Sequence, residues 1–175
     1  RVPRGISVSR GEEVGDVVER IKAVVSAPYV VKPMAGGSSI GLSLAHNDRE
    51  LVFAIENALA HAEKAIIEEY VRGREITVGV IDAVSGTTAY ATPPLEILLP
   101  EGTLFDYDQK YKNLSHPVGP ARLHDHERCA LEQAALTAHS HLGARHYARY
   151  DFILTDEGPC ILEVNTLPGL TSTSL

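Results

Sequence analysis

The chain has 175 residues, of which 44% are hydrophobic and 22% are charged, and it carries a formal net charge of −7. This composition is typical of a folded globular protein, because disordered chains combine low hydrophobicity with high charge. The acidic balance argues against nucleic-acid binding as the main function, although local basic sites for phosphate remain open. No apolar run approaches the roughly 20 residues needed to span a bilayer, so we expect no membrane-spanning segment.

The cysteines indicate the redox compartment of the protein, and the first residue indicates whether the chain is a fragment or a processed form. Cys129 and Cys160 lie in apolar runs, where a buried thiol is comfortable, and two cysteines are too few for a disulfide framework. We therefore expect a reducing cytoplasm. The chain opens on Arg1 without an initiating methionine, so we expect a fragment or a processed form.

The first predicted elements are a helix and a short strand. Residues 9–12 match a capping box, and apolar residues from Val14 to Val25 then recur at helical spacing, which predicts a helix of about four turns. The β-branched run at residues 29–31 predicts a strand that delivers Lys32 to its end.

A glycine-rich loop follows this strand at residues 35–41 and contains Ser38 and Ser39. Glycines let the backbone approach a phosphate closely, and the hydroxyls add hydrogen-bond donors. The loop lacks the Gly-Lys-Ser/Thr of a Walker motif and does not open a helix, so neither standard nucleotide motif matches. Taken alone, such a loop is more often an ordinary turn, but Lys32 just before it favours phosphate binding.

Acidic residues gather near the end of a later strand. Asn47 is placed to cap an amphipathic helix, and an apolar strand after it ends in Glu68 and Glu69, with Glu75 leading into the next strand. Such carboxylates can accept hydrogen bonds from a nucleobase amine or from ribose hydroxyls. Solvated surface charge is the simpler interpretation, and the residues alone favour it.

A stretch of little regular pattern spans residues 100–120, and loops of this length are often lids or binding loops. Lys110 and Tyr111 lie there near acidic residues, which is typical of a lid that meets a charged substrate. Asp125 is then expected to cap a long helix that continues to Leu142. The histidines around this helix make no metal-binding spacing, so we expect surface or partly buried positions for His124, His126, His139 and His141.

Two strand-like runs near the C-terminus place polar side chains where packing alone does not need them. Alternation puts Arg149 and Asp151 on one face of the first run, and Glu163 and Asn165 on one face of the second. A turn at Gly158 would bring the four side chains together as a hairpin.

This hairpin admits two interpretations. It can be a solvent-facing hairpin with one salt bridge, or a site for a hard cation such as Mg²⁺, which prefers oxygen ligands. The Pro168-Gly169 pair and the hydroxyl-rich residues 171–174 resemble an anion-binding turn and favour the cation site.

Taken in order, these motifs resemble the ATP-grasp ligases, and among them the D-alanine–D-alanine ligases. The resemblance covers essentially the whole chain and rests on Lys32-Pro33 with residues 37–41, and on residues 68–75, 106–111, 149–151 and 163–172. It implies an α+β ATP-grasp fold of two α/β lobes with mainly antiparallel sheets that clasp ATP. Residues 1–67 would form the first lobe, and residues 68–175 the second.

The resemblance also implies a reaction for peptidoglycan precursor synthesis. ATP phosphorylates the carboxylate of one D-alanine, and the amine of a second D-alanine attacks the acyl phosphate. The implied ligands are ATP, D-alanine and two Mg²⁺ ions, with Mn²⁺ as a substitute. The full-length enzyme is expected to be a homodimer that binds neither nucleic acid nor membrane. Two alternatives stay open: another ATP-grasp carboxylate–amine ligase, or a non-catalytic nucleotide-binding module.

By resemblance, Asp151, Glu163 and Asn165 hold the metal ions, with Glu163 bridging. Lys32 would contact the ATP phosphates, and Ser38 and Ser39 would fold over them with the glycine-rich loop.

The nucleoside would be held by a second group of residues. Glu68 and the backbone of Tyr70 and Val71 would read adenine, and Glu75 would take the ribose. Lys110 would meet the transferring phosphoryl group.

A third group would serve the amino acid substrates. Arg149 and the backbone amide of Gly169 would stabilise the oxyanion, while Ser174 and Leu175 would hold the second substrate.

Tyr111 and Ser38 would orient substrate across the closed lid. Related depsipeptide ligases replace this tyrosine, so we expect a peptide product. The family's N-terminal domain, which carries a glutamate for the first D-alanine, and its last helix have no counterpart here. We therefore expect this chain to bind ATP weakly at best and not to ligate alone.

Overall fold

A computed structural model describes residues 1–37, 39–82, 89–98 and 116–169. The described chain divides into two compact units, each with its own sheet and hydrophobic core. The N-terminal unit comprises residues 3–70, and the C-terminal unit comprises residues 71–98 and 116–169 together with residues 1–2. The lobes expected from the sequence, residues 1–67 and 68–175, stay a prediction.

The N-terminal unit packs two helices on an antiparallel sheet of four strands. Its elements are β1 (Gly5–Ser9), α1 (Val14–Lys22), β2 (Tyr29–Pro33), β3 (Ser43–Ala45), α2 (Asp48–His61) and β4 (Lys64–Glu69). The strand order is β1-β4-β2-β3. Its core joins apolar residues of both helices to the sheet, including Ile21, Leu51, Ile55, Val31 and Ile67.

The predicted start of the first helix is wrong. Ser9 ends strand β1, and the Glu12 carboxylate accepts a hydrogen bond from the Ser9 backbone N–H at 2.6 Å. Gly11, at φ +90°, makes the turn before α1 begins at Val14. The helix has nine residues and is therefore shorter than expected. The Asn47 cap of α2 is confirmed, since its side chain accepts from the Glu50 N–H at 3.0 Å.

The C-terminal unit packs one helix against a larger antiparallel sheet. Its elements are β5 (Arg74–Ile81), β6 (Tyr90–Ala91), β7 (Leu95–Leu98), β8 (His116–Val118), α3 (Asp125–His141), β9 (Tyr147–Thr155) and β10 (Gly158–Asn165). The strand order is β10-β9-β5-β7-β8, and β6 also pairs with β5. Leu131 and Ala135 of α3 pack against apolar residues on one face of this sheet.

Two sequence expectations for this unit need correction. Strand β8 lies inside the stretch that was expected to be irregular, because it pairs with β7. His124, not Asp125, is the residue before the helix, and the Glu127 carboxylate accepts from its backbone N–H at 2.7 Å. No helix in the described parts of the chain is long and apolar enough to cross a membrane.

His139 is also more buried than expected, at 3% exposure. Its Nδ1 lies 2.8 Å from the Tyr150 hydroxyl, and its Nε2 lies 3.1 Å from a carboxylate oxygen of Asp82. The same carboxylate accepts from the backbone N–H of His146. A histidine is tolerated in this core because both ring nitrogens have partners.

The predicted hairpin at Gly158 is confirmed, and a bulge shapes its second strand. In the strand register, Asp151 lies opposite Glu163 and Arg149 lies opposite Asn165, and the register shifts at Leu162. A bulge adds one residue to one strand and changes which side chains face a given side. Ile161 and Val164 therefore both pack towards the core, whereas Glu163 and Asn165 face the other side.

Candidate functional site

Polar side chains gather on the face of the C-terminal sheet opposite to α3. We call this group the polar cluster; it consists of Glu75, Thr77, Arg149, Asp151, Glu163 and Asn165. Three neighbouring strands present it, because Thr77 lies opposite Asp151 and Asp151 lies opposite Glu163 in the registers of β5, β9 and β10. The convergence predicted for Arg149, Asp151, Glu163 and Asn165 is thus what the fold produces.

Asp151 is the centre of the polar cluster. Arg149 donates to it with two nitrogens, Nε to Oδ1 and Nη2 to Oδ2, both at 2.9 Å. The Thr77 hydroxyl donates to Oδ1 at 2.7 Å, and the Asn165 amide donates to Oδ2 at 3.0 Å. These donors match the roughly four acceptor positions of a carboxylate.

The ion pair at this centre is buried. Arg149 is 8% exposed and Asp151 is 6% exposed. A buried charge is tolerated only when it is paired and hydrogen-bonded, as both are here. The alternative of a solvent-facing hairpin with one salt bridge is therefore wrong.

Glu163 lies at the open side of the polar cluster, where its side chain is exposed. Its Oε1 accepts from the Asn165 amide at 3.0 Å, so Asn165 bridges the two carboxylates. The amide nitrogen faces both acids, and a half-turn of the amide would bring its oxygen to the same place.

Glu75 reports the electrostatic potential of the polar cluster. Burial, together with the negative charges of Asp151 and Glu163, raises the pKa of Glu75 to about 8, while Arg149 acts in the opposite direction. A carboxyl group resists ionisation where burial removes water from it and where negative charges lie nearby, and burial is the larger cause here. The site therefore favours an additional positive charge.

The donor set fits a hard divalent cation. Within the described residues, no three His, Cys, Asp or Glu side chains form a ready metal-binding group. Asp151 and Glu163 supply two carboxylates, and the amide oxygen of Asn165 supplies a third ligand. Mg²⁺ takes few protein oxygens and completes its shell with water or substrate phosphates, so this set suits it.

An open cavity of about 340 Å³ lies in the same unit, beside the polar cluster. Its walls are largely apolar, and its lining includes Thr77, Gly79, Thr92, Tyr147, Arg149 and Gly169. Arg149 thus borders both Asp151 and the cavity. The fold brings Arg149 and Gly169, the two residues expected to stabilise an oxyanion, to one cavity.

In the N-terminal unit, Lys32 and Glu68 form an ion pair with Nζ and Oε2 2.8 Å apart. Strands β2 and β4 are antiparallel neighbours, so the two side chains meet across the strands. Both are partly buried, at 23% and 14% side-chain exposure. Glu68 is therefore not the solvated surface charge that the residues alone favoured.

Tyr70 and the glycine-rich loop show where backbone groups are already used. The Tyr70 backbone N–H donates to the Pro28 carbonyl at 3.0 Å, so a base could be read at Tyr70 only through its carbonyl. Gly41 has φ +78°, and a Cβ there would lie 2.8 Å from the Pro33 ring, so only glycine fits. Ser39 lies in the described part of this loop and is partly buried.

Several expected site residues lie outside the described residues. These are Ser38, Lys110, Tyr111, Ser174 and Leu175. Conversely, the sequence interpretation missed Thr77, which donates to the central carboxylate. The sequence signal was a hydroxyl residue inside an apolar strand, and its partner depends on the register between β5 and β9.

Comparison with known proteins identifies relatives over nearly the whole chain. The family described as D-ala D-ala ligase C-terminus matches residues 6–175. A D-alanine–D-alanine ligase of Halalkalibacterium halodurans is 42% identical over 151 residues, which are 85% of this chain and 48% of that protein.

Solved structures agree in fold. The crystal structure of the VanG D-Ala:D-Ser ligase from Enterococcus faecalis matches with a TM-score of 0.85 and 32% identity, over 99% of this chain and 50% of that one. The D-alanine–D-alanine ligase of Bacillus anthracis complexed with ATP matches with a TM-score of 0.77 and 26% identity, over 99% and 52%.

The predicted α+β ATP-grasp fold with antiparallel sheets is confirmed by these likenesses. The chain spans about half the length of the curated relatives it matches. Since the family match covers nearly all of its residues, the chain belongs to the D-ala D-ala ligase C-terminus family.

Proposed function

We propose that this chain supplies the ATP- and metal-binding part of a ligase that joins two D-alanines through an acyl phosphate. The observation that carries the proposal is the buried Arg149–Asp151 pair, to which Asn165 and Glu163 are joined by hydrogen bonds. An oxygen-rich cluster with one guanidinium suits a reaction in which charge develops on phosphoryl and carbonyl oxygens. Relatives named D-alanine–D-alanine ligase support the choice of reaction.

In this proposal Asp151, Glu163 and Asn165 hold two Mg²⁺ ions, for which Mn²⁺ can substitute. When bound, the ions would neutralise phosphate charge and polarise the transferring group. Thr77 and Arg149 already orient the Asp151 carboxylate, and a cation would take an acceptor position that Arg149 or Asn165 now occupies. Exposed Glu163 lies where a second cation can reach the cluster.

Arg149 and Gly169 would act on the carbonyl substrate. Both border the cavity beside the polar cluster, and its largely apolar lining would exclude water from an acyl phosphate. The guanidinium would meet the negative charge that develops on oxygen, and the Gly169 amide would donate to the same atom. Ser174 and Leu175 would hold the second substrate, with Tyr111 and Ser38 orienting it.

The nucleotide would be held by a further set of residues. Lys32 would contact a phosphate with Ser39 of the same loop, Glu68 and the backbone of Tyr70 and Val71 would meet adenine, and Lys110 would meet the transferring phosphoryl group. Glu75 would take the ribose hydroxyls; a carboxyl with a pKa of about 8 is largely neutral at pH 7 and can both donate and accept.

We place the enzyme in the cytoplasm as a homodimer.

The test is ATP binding by this chain, measured by calorimetry with Mg²⁺ and with EDTA. The proposal predicts binding that tightens when Mg²⁺ is present, even if the affinity is only millimolar. Binding that is absent, or that does not respond to Mg²⁺, contradicts it. GTP serves as the control nucleotide and should bind more weakly, because guanine has a carbonyl oxygen in place of the 6-amino group of adenine from which Glu68 would accept.

A ligase with a different acceptor is the second candidate. It is favoured by the likeness to the VanG structure, which is that of a D-Ala:D-Ser ligase. Phosphate release and product mass, measured with D-alanine plus D-alanine, D-serine or D-lactate in a full-length enzyme containing this chain, separate the candidates. Our proposal predicts D-alanyl-D-alanine as the main product, and a preference for D-serine would favour the second candidate.

A further inference from the structure

Thr77 makes a buried hydrogen bond to the centre of the polar cluster. It lies on β5 directly opposite Asp151 and is 3% exposed. Its hydroxyl donates to Asp151 Oδ1 at 2.7 Å, which is short enough for a strong charge-assisted bond. Thr77 is therefore a buried hydrogen-bond donor to one oxygen of the Asp151 carboxylate.

In the proposed function, the other donors that the described residues offer to Asp151 would have second tasks. Arg149 borders the cavity and would turn part of its guanidinium to substrate. Asn165 would itself become a metal ligand, with its amide oxygen turned to the cation. When both engage ligands, the hydrogen bonds that they give Asp151 are weakened or lost, whereas the Thr77 bond need not change.

We infer that Thr77 is a positioning residue that holds the Asp151 carboxylate in place for its cation. The inference rests on the proposed function and deepens its metal site. Residues that orient a ligating carboxylate typically change metal affinity roughly 10- to 100-fold when they are replaced. Thr77 suits this role because a β-branched side chain has few rotamers, so its hydroxyl has a fixed direction.

The experiment compares Thr77→Val and Thr77→Ser with the parent chain. Valine keeps the branched shape and removes the donor, whereas serine keeps the hydroxyl. Calorimetric titrations with ATP at a series of Mg²⁺ concentrations give the Mg²⁺ concentration for half-maximal tightening. Urea unfolding without ATP reports on stability separately.

The matched control is Tyr150→Phe. It removes a buried hydroxyl from the residue that precedes Asp151 in β9. That hydroxyl contacts His139 on the opposite face of the sheet. It should lower stability and leave the Mg²⁺ dependence unchanged. Should Thr77→Val fail to fold, Thr77→Ala replaces it with the same expectation.

We expect the Mg²⁺ concentration for half-maximal tightening of ATP binding to rise at least about tenfold in Thr77→Val. In Thr77→Ser it should stay within about threefold of the parent value. ATP affinity in EDTA should be the same in all variants. A Thr77→Val variant with the parent's Mg²⁺ dependence overturns the inference while the proposed function stands. A parent chain that shows no Mg²⁺-dependent ATP binding overturns both.

Discussion

The two faces of the C-terminal sheet are built from neighbouring residues, but one face forms an apolar core and the other carries the polar cluster. Val78, Tyr150 and Phe152 face α3 and are buried in an apolar core. Thr77 and Asp151, one position away on the same strands, face the polar cluster and are almost equally buried. Burial alone therefore does not distinguish a core from a site.

The difference lies in how each face is stabilised. Apolar burial is non-directional and tolerates neighbours of similar volume, whereas buried charges need partners at fixed distances. Asp151 has such partners on its own strand and on both flanking strands. We infer that the apolar face mainly sets the stability of this unit, and that the polar face gives up some stability to hold a ligand.

The largest effect on stability is expected from the apolar face. Phe152→Ala should lower the free energy of unfolding by about 3–5 kcal/mol, because it removes a fully buried ring and leaves a cavity. Urea unfolding followed by circular dichroism measures the loss. Any remaining folded protein should keep the parent's Mg²⁺ dependence of ATP binding. A loss below about 1 kcal/mol would mean that this face is less tightly packed than the burial of its side chains indicates.

A smaller, pH-dependent effect is expected from Glu75. Its carboxyl has a pKa near 4.5 when unfolded and about 8 when folded, so unfolding releases a proton between these values. Stability from this group is fully present below pH 4.5 and is lost as the pH rises towards 8. Above pH 8 the loss is complete.

Glu75→Gln removes this titration. Between pH 5 and pH 8 the free energy of unfolding of the parent should fall relative to that of the variant by on the order of 1–2 kcal/mol, since solvent screens a partly exposed group. Unfolding titrations in urea at several pH values measure the difference. Parallel pH profiles of the two proteins would contradict the raised pKa.

The smallest effect is expected from a polar pair at the rim of the apolar face. Arg74 donates to Glu96 through two bonds of 2.8 and 2.7 Å, and the Arg74 guanidinium lowers the pKa of Glu96. Glu96→Gln should cost about 1 kcal/mol at pH 7. Because the folded pKa is lowered, this contribution is present above the ordinary glutamate pKa and disappears on acidification. An equal cost at pH 3 and pH 7 would argue against the ion pair.

Much of the polar face could be predicted from the sequence, for a simple physical reason. Alternation along a strand fixes which side chains share a face, so Arg149 could be paired with Asp151, and Glu163 with Asn165, from their spacing alone. The Gly158 turn then fixed the pairing between the strands. The bulge at Leu162 left this prediction intact, because Glu163 and Asn165 both follow it.

Other features could not be predicted because they depend on long-range contacts. Strand β1 was missed, since its pairing partner β4 lies about 60 residues away in the chain. Burial of His139 depends on Asp82 and Tyr150, which only the fold brings to it. The role of Thr77 depends on the register between β5 and β9, which local patterns do not contain.

The most direct test of the account is the Mg²⁺ dependence of ATP binding in Glu163→Gln. Glu163 is exposed, and its hydrogen bond to Asn165 lies at the open side of the cluster, so the variant should fold like the parent and bind ATP equally well in EDTA. The account predicts that the factor by which Mg²⁺ increases ATP affinity is at least about tenfold smaller in the variant than in the parent. Equal tightening in the two proteins would show that the polar cluster is not the metal site.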